Sequence, residues 1–177
     1  MKRQKRGNIH IPDLALRTTA GAWKRLNRDL GESTLDMIMV HDPVFRRGIS
    51  AEPIFNDKLI LVGACEPAEW RERYVRIEWG EALGAEIGTR LSLVPQEGLI
   101  LDLGLRSALW LVQKRMAGFL PEKAVAKFLA EGALTRIDDT PTFDFPAYAC
   151  WRSDMDEELA GQVIGSLKSH FDSKYPN

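Results

Sequence analysis

Glu78, Trp79 and Gly80 stand together at the end of an alternating apolar segment, and of this 177-residue chain they are best suited to recognising a small molecule. An indole offers contact area and one N–H donor, a carboxylate offers charge recognition, and the glycine lets backbone approach closely. Trp79 as a core residue with Glu78 on the surface accounts for the same pattern equally well. Catalytic signals are weaker. The histidines are His10, His41 and His170, and none pairs with a Cys, His or carboxylate at metal-ligand spacing. No GxSxG elbow, Walker-type glycine loop, HExxH or CxxC occurs. His41 and Asp42 follow a strand, where α/β folds collect ligand-binding residues, although a lone loop histidine is commonly just solvated. An enzyme would have to use Glu78 or Asp42 as base with His41. Gly80, Gly84 and Gly88 recur every four residues, too widely spaced for a phosphate loop and better read as a packing face or flexible loop.

These residues need a frame. Residues 9–16 carry apolar side chains at Ile9, Ile11, Leu14 and Leu16 around Pro12, which predicts an irregular or edge strand. Trp23, Leu26 and Leu30 mark a helix over 22–30, with Gly31 as its stop. Residues 35–40 read as a strand buried on both sides, so strand, helix and strand form a βαβ unit. Residues 46–52 read as exposed loop. Strands are predicted over 58–64, 74–79 and 91–95, and a long helix over 99–116. Gly118 to Pro121 is a brief apolar segment, followed by a helix over 122–130 with Pro121 at its start. The last strand is placed at 145–151, and a closing helix opens at Ser153 or Asp154, with Asp156, Glu157 and Glu158 favourable to its dipole. The alternation predicts α/β architecture with largely parallel sheets.

Composition narrows the function classes. Lys plus Arg number 24 against 25 acidic residues, for a net charge of −1, which lacks the excess of a dedicated nucleic-acid binder. The local exception is Lys2, Arg3, Lys5 and Arg6, either a short phosphate-touching arm or a solvated terminus. Cys65 and Cys150 sit in apolar company with no CxxC spacing, which points to free thiols in a reducing compartment. No stretch approaches the roughly 18 apolar residues of a membrane span, and no secretory signal is present, so the expected location is cytoplasmic. That also argues against an exported solute-binding protein. No cofactor or metal is expected.

The segments resemble, in order and wording, the effector-binding domain of LysR-type transcriptional regulators. Leu30 through Val40, with Asp36, is similar to the family's first aspartate-containing strand segment. Glu52-Pro53-Ile54-Phe55-Asn56-Asp57-Lys58-Leu59-Ile60-Leu61-Val62 is similar to the next. Tyr74-Val75-Arg76-Ile77-Glu78-Trp79-Gly80, Gly118-Phe119-Leu120-Pro121 and Leu129 through Trp151 follow in the same sequence. The resemblance implies two Rossmann-like lobes like those of type 2 periplasmic binding proteins. Lobe I would comprise residues 1–55 and 146–177 and lobe II residues 56–145, with crossovers near Phe55 to Asp57 and Phe145 to Pro146. It implies an effector-sensing domain, not an enzyme, that binds a small anion or aromatic acid between the lobes and acts through homo-oligomer contacts. The implied effector residues are Thr18, Thr19, Gly21, His41 and Asp42 from lobe I, and Glu78, Trp79, Gly80, the turn Val94-Pro95-Gln96 and the wall Phe119 from lobe II. The family's helix-turn-helix and the first strand and helix of lobe I have no counterpart, so DNA would be reached only through a part absent from this sequence. The expectation is a truncated regulator with lobe I incomplete, and the alternative a remnant without ligand function.

Overall fold

In the computed structural model, which describes residues 14–93 and 99–174, the apolar spacing of Trp23, Leu26 and Leu30 forms helix α1 (Trp23–Gly31). Its inner face buries Leu30 against β1 (Met37–Val40). Gly31 is the last residue of the helix, where the stop was expected. The left-handed residue that ends the turn is Ser33, with φ 59°, whose N–H bonds the Leu30 carbonyl. A side chain at Gly31 would require the Arg46 guanidinium, which lies against it, to move.

β2 (Ile49–Gly63) is far longer than the segment predicted over 58–64. Its first residues are the polar, half-buried stretch read as loop. Polar residues at period two fit a strand as well as a loop once a neighbour supplies backbone partners, and β7 (Phe143–Arg152) lies beside β2 in the sheet. From Leu59 the strand is continuously buried. Leu59 and Leu61 face one apolar cluster with Phe119 and Ile87, while Ile60 and Val62 face another with Leu111, Leu120 and Val125. Burial on both faces is why this segment is apolar without alternation.

Three parallel segments stand beside it. β3 (Arg76–Ile77) pairs with β4 (Ile100–Leu101), and Tyr74 bridges in parallel to Ala117 at the start of β5 (Ala117–Pro121). β5 then runs antiparallel to β2, from Leu59↔Pro121 to Gly63↔Ala117, and β6 (Thr135–Arg136) pairs antiparallel with β2. Helices α2 (Glu81–Arg90), α3 (Ser107–Lys114) and α4 (Glu122–Ala130) follow β3, β4 and β5 in turn. α2 contributes Ile87 to one face, and α3 and α4 contribute Ala108, Leu111 and Val125 to the other.

Several expectations are corrected. The predicted strand at 91–95 is, over its described residues, the closing turn of α2. Leu91 and Leu93 donate to Ile87 and Gly88, and Ser92 is left-handed at φ 48°. The predicted helix over 99–116 begins instead as strand β4, because Leu99-Ile100-Leu101 is apolar enough to pair. Gly104, at φ 51°, then breaks the chain before a 3₁₀ turn (Gly104–Arg106) and α3. The pairs of β1 with β7 and of β2 with β5 and β6 are antiparallel, whereas β3 with β4 and the bridge from Tyr74 to Ala117 are parallel, so the sheets are not largely parallel. β1 exposes Met39 (47%) while burying Ile38 and Val40, so it is not buried on both sides. The closing helix α5 (Glu157–Lys174) begins after Asp156, whose Oδ1 accepts the Leu159 N–H at 2.8 Å; Ser153 and Asp154 lie in the turn before it.

Leu14 to Leu16 are not in a strand. Residues 9–13 of the predicted first strand, His10, the basic positions Lys2, Arg3, Lys5 and Arg6, and the turn Val94-Pro95-Gln96 lie outside the described residues.

The chain divides into two compact units, Met1–Phe55 with Ala147–Asn177, and Asn56–Pro146. The second holds the β2–β5 core just described. In the first, Leu30, Ile38, Val40 and Cys150 form a cluster under α1, and Ile54, Ala147, Ala149 and Ile164 form another under α5. Lys168 on α5 is ion-paired with Glu52 on β2.

Candidate functional site

The turn after β3 is built from its own side chains. Glu78 Oε1 accepts the Gly80 N–H at 3.1 Å and Oε2 accepts Arg76 Nη2 at 3.3 Å, so both carboxylate oxygens are engaged. Gly80, at φ 121° and ψ 153°, occupies a conformation only glycine holds cheaply, and it caps α2. Its carbonyl accepts the Gly84 N–H at 3.0 Å. Trp79 is half-buried. Its indole Nε1 donates to the Phe119 carbonyl at 2.8 Å, and its ring meets Phe145 edge-on at 5.2 Å. Phe119 itself is 1% exposed and packs in the core with Tyr74 and Phe143. The structure therefore brings Glu78, Trp79, Gly80 and Phe119 together, with Phe119 as a core side chain and not an open wall.

In the first unit, Thr18, Thr19 and Gly21 lie exposed in the irregular segment before α1. A side chain at Gly21 would make only ordinary contacts, so this position does not require glycine. His41 and Asp42 are half-buried after β1. The His41 ring stands edge-on to Phe55 at 6.3 Å, and Phe55 stacks on Phe171 at 4.3 Å.

What holds His41 and Asp42 in place was not legible in the sequence. Asn27, 5% exposed on α1, donates from Nδ2 to the Asp42 carbonyl at 3.1 Å and the Trp23 carbonyl at 3.0 Å. Its Oδ1 accepts the Val44 N–H at 2.8 Å. Arg46 adds a bond to the Asn27 carbonyl at 3.1 Å. One amide thus fastens the loop after β1 to the helix before it. An asparagine between the apolar positions of α1 was the available signal.

Asp57 was also missed. It is 5% exposed, and its Oδ1 accepts the N–H of Lys58 at 2.8 Å and of Lys123 at 3.3 Å. Because Pro121 offers α4 no side-chain cap, this carboxylate supplies one from another strand. Burial pushes its pKa above the ordinary 3.8, against the lowering effect of both N–H groups and the Lys123 charge; Glu122 adds to the rise. With the folded value raised, the folded state binds the extra proton. Stability then falls as pH rises from 3.8 through that raised value. Asp57→Asn keeps an acceptor and is expected to remove this slope in urea unfolding between pH 4 and 7, whereas Asp57→Ala should cost about 1–3 kcal/mol by orphaning two N–H groups. An unchanged slope in Asp57→Asn would show that other carboxyls set it.

Cys65 and Cys150 are both free thiols. Burial pushes Cys150 up to about 11 and raises Cys65, so neither carries the thiolate that reactivity requires near neutral pH. Among the described residues no group of His, Cys, Asp or Glu is placed to hold a metal ion, and no helix is long and apolar enough to cross a membrane.

Comparison with known proteins gives the frame a relative. The regulatory domain of HypT from Salmonella typhimurium in its apo form is 16% identical, with 91% of this chain and 86% of that chain covered and a TM-score of 0.72. Its bromide-bound form is 17% identical, covering 86% and 80%, with a TM-score of 0.66. The regulatory domain of MetR, a LysR family regulator from N. meningitidis, is 15% identical, covering 85% and 76%, with a TM-score of 0.62. No curated protein matches the chain by sequence. The LysR substrate binding domain family matches residues 9–172, nearly the whole chain. The two-unit α/β fold and this match lead to one assignment: the chain belongs to the LysR substrate-binding domain family, the effector-binding regulatory domain of LysR-type regulators.

Proposed function

We propose that this domain senses a small anionic effector by binding and not by turnover, with its two compact units serving as the family's two lobes. The observation that carries the reading is the turn at the carboxyl end of β3. There Gly80 opens α2, so the positive end of the helix dipole lies where α/β folds place ligands. The bromide held by the HypT regulatory domain supports an anion for this chain as well. Thr18, Thr19, Gly21, His41 and Asp42 in the first unit and Gly80 at the start of α2 in the second are the proposed contacts, with Glu78, Trp79 and Phe119 shaping the turn from behind. A base role for Glu78 fits poorly, since Arg76 and the Gly80 N–H occupy both its oxygens.

Output through a second copy of this chain is part of the same reading. Leu103 (46% exposed), just before the 3₁₀ turn, Leu105 (58%) within it and Leu109 (55%) on α3 present apolar surface. Apolar surface so clustered favours association.

Calorimetric titration of the whole chain with sodium bromide and with benzoate, paired with small-angle scattering, tests the sensing role. The expected result is binding accompanied by a smaller radius of gyration. It should be weakened at least tenfold by Thr19→Val or His41→Ala. Binding that survives both substitutions, or no binding of either anion, would overturn the assigned site or its ligand class. Sedimentation of Leu105→Glu should show a shift toward monomer; an unchanged distribution would remove α3 from the interface.

A further inference from the structure

The parallel strands of the second unit have two ends, and only the carboxyl end carries Glu78 to Gly80. The amino ends of β3, β4 and β5 open instead onto a concavity of about 750 Å³. That size falls within the roughly 300–1,000 Å³ typical of ligand pockets, at the end of the strands the fold does not ordinarily use. Val75 and Met116, each just before its strand, and Ile100 at the start of β4 give it an apolar floor.

One wall is the α2 face carrying Gly84 and Gly88. A Cβ on Gly84 would stand 2.7 Å from Arg76 Nη2, so glycine there lets the guanidinium lie against the helix. A Cβ on Gly88 would meet nothing within 4 Å, so that position opens into the space. The spacing that resembled a packing face is, at these two residues, the wall of a cavity.

Donors come from Arg76 and Arg71. Arg76 is held by Glu78 at 3.3 Å. Arg71 donates to the Leu91 carbonyl at 3.1 Å and lies over the Trp70 ring at 4.5 Å. Each of these bonds engages one of five guanidinium N–H groups, so both side chains are oriented with donor capacity left. Glu72 is the carboxylate among the described lining residues and Glu78 is paired with Arg76, so Arg71 brings the charge and Arg76 its remaining donors. Tyr74, also lining, has its phenol pushed up to about 12 by burial and remains a donor across the neutral range.

We propose that this concavity is a second ligand pocket, separate from the effector site above, that takes a carboxylate carried on a flat apolar body. Arginine pairs with carboxylate in two parallel bonds, and an apolar floor favours a ligand that covers it over a bare inorganic ion. The pocket does not depend on the sensing role, since every described residue lining it belongs to the second unit.

Calorimetric titration of the whole chain with 2-naphthoate, 2-naphthamide and sodium sulfate provides the test. The expected result is saturable 2-naphthoate binding, with the amide and sulfate each at least tenfold weaker. Gly88→Leu should weaken it at least tenfold by filling the space, and this exchange favours helix, so the fold should persist. Arg71→Gln and Arg76→Gln should each weaken it about tenfold, and this binding component should persist in His41→Ala, which removes only binding at the effector site. No naphthoate binding, equal binding of sulfate, or full binding in Gly88→Leu would overturn the proposal. Binding that ignores Gly88→Leu but is lost in His41→Ala would place the ligand in the effector site, refuting this pocket while upholding the other reading.

Discussion

Phe119→Ala is expected to lower the unfolding free energy by about 3–5 kcal/mol, the usual cost of deleting a buried aromatic ring. Phe119 is 1% exposed, touches Tyr74 and Phe143 edge-on, and sits in β5 opposite Leu61. Removing the ring leaves a cavity between β2, β5 and α2 that the surrounding strands cannot close, because their register is pinned from Leu59↔Pro121 to Gly63↔Ala117. Chemical denaturation followed by tryptophan fluorescence measures the loss, and Phe119→Leu should recover more than half of it. The same experiment separates two roles. A site wall would lose ligand affinity with little change in stability, and a destabilisation below about 1 kcal/mol with weakened anion binding would restore that role to Phe119.

Asn27→Ala should cost about 2–3 kcal/mol, because one truncation leaves the Asp42 carbonyl and the Val44 N–H without their partner in a buried setting. The effect should be local as well as global. Amide exchange at Val44 is expected to accelerate at least a hundredfold, since the loop after β1 loses its tie to α1. Asn27→Asp keeps the acceptor for Val44 but not the donor for Asp42, and should fall between the two. If the Val44 amide exchanges no faster in Asn27→Ala, the loop is held by other contacts and the amide is not its fastener. Should anion binding decline alongside, it would do so through the placement of His41 and Asp42 rather than by direct contact.

Much of the architecture was readable in the residues. The spacing of Trp23, Leu26 and Leu30 announced α1, Pro121 announced the start of α4, and the continuous apolar run from Leu59 to Val62 announced a strand. Such signals are local and periodic, so a single chain shows them. The failures share a cause. Ile49 to Glu52 is strand because of a neighbouring strand, and Ile100–Leu101 is strand because β3 is available to pair; neither neighbour is near in sequence. The closing turn of α2 looked like a strand because Leu91 and Leu93 alternate, but they complete helical bonds to Ile87 and Gly88.

For the candidate site the division is sharper. Residue order alone determined the family, the two-lobed α/β class and the prominence of Glu78-Trp79-Gly80, since these rest on which side chains follow which. Only the tertiary structure decided what those side chains do. The Trp79 donor is spent on the Phe119 carbonyl, the Glu78 oxygens on Arg76 and Gly80, and Phe119 on the core. Sequence shows that a donor and an acceptor exist. Which partner satisfies them is set by strands far apart in the chain, and a half-buried polar group takes the nearest fixed one.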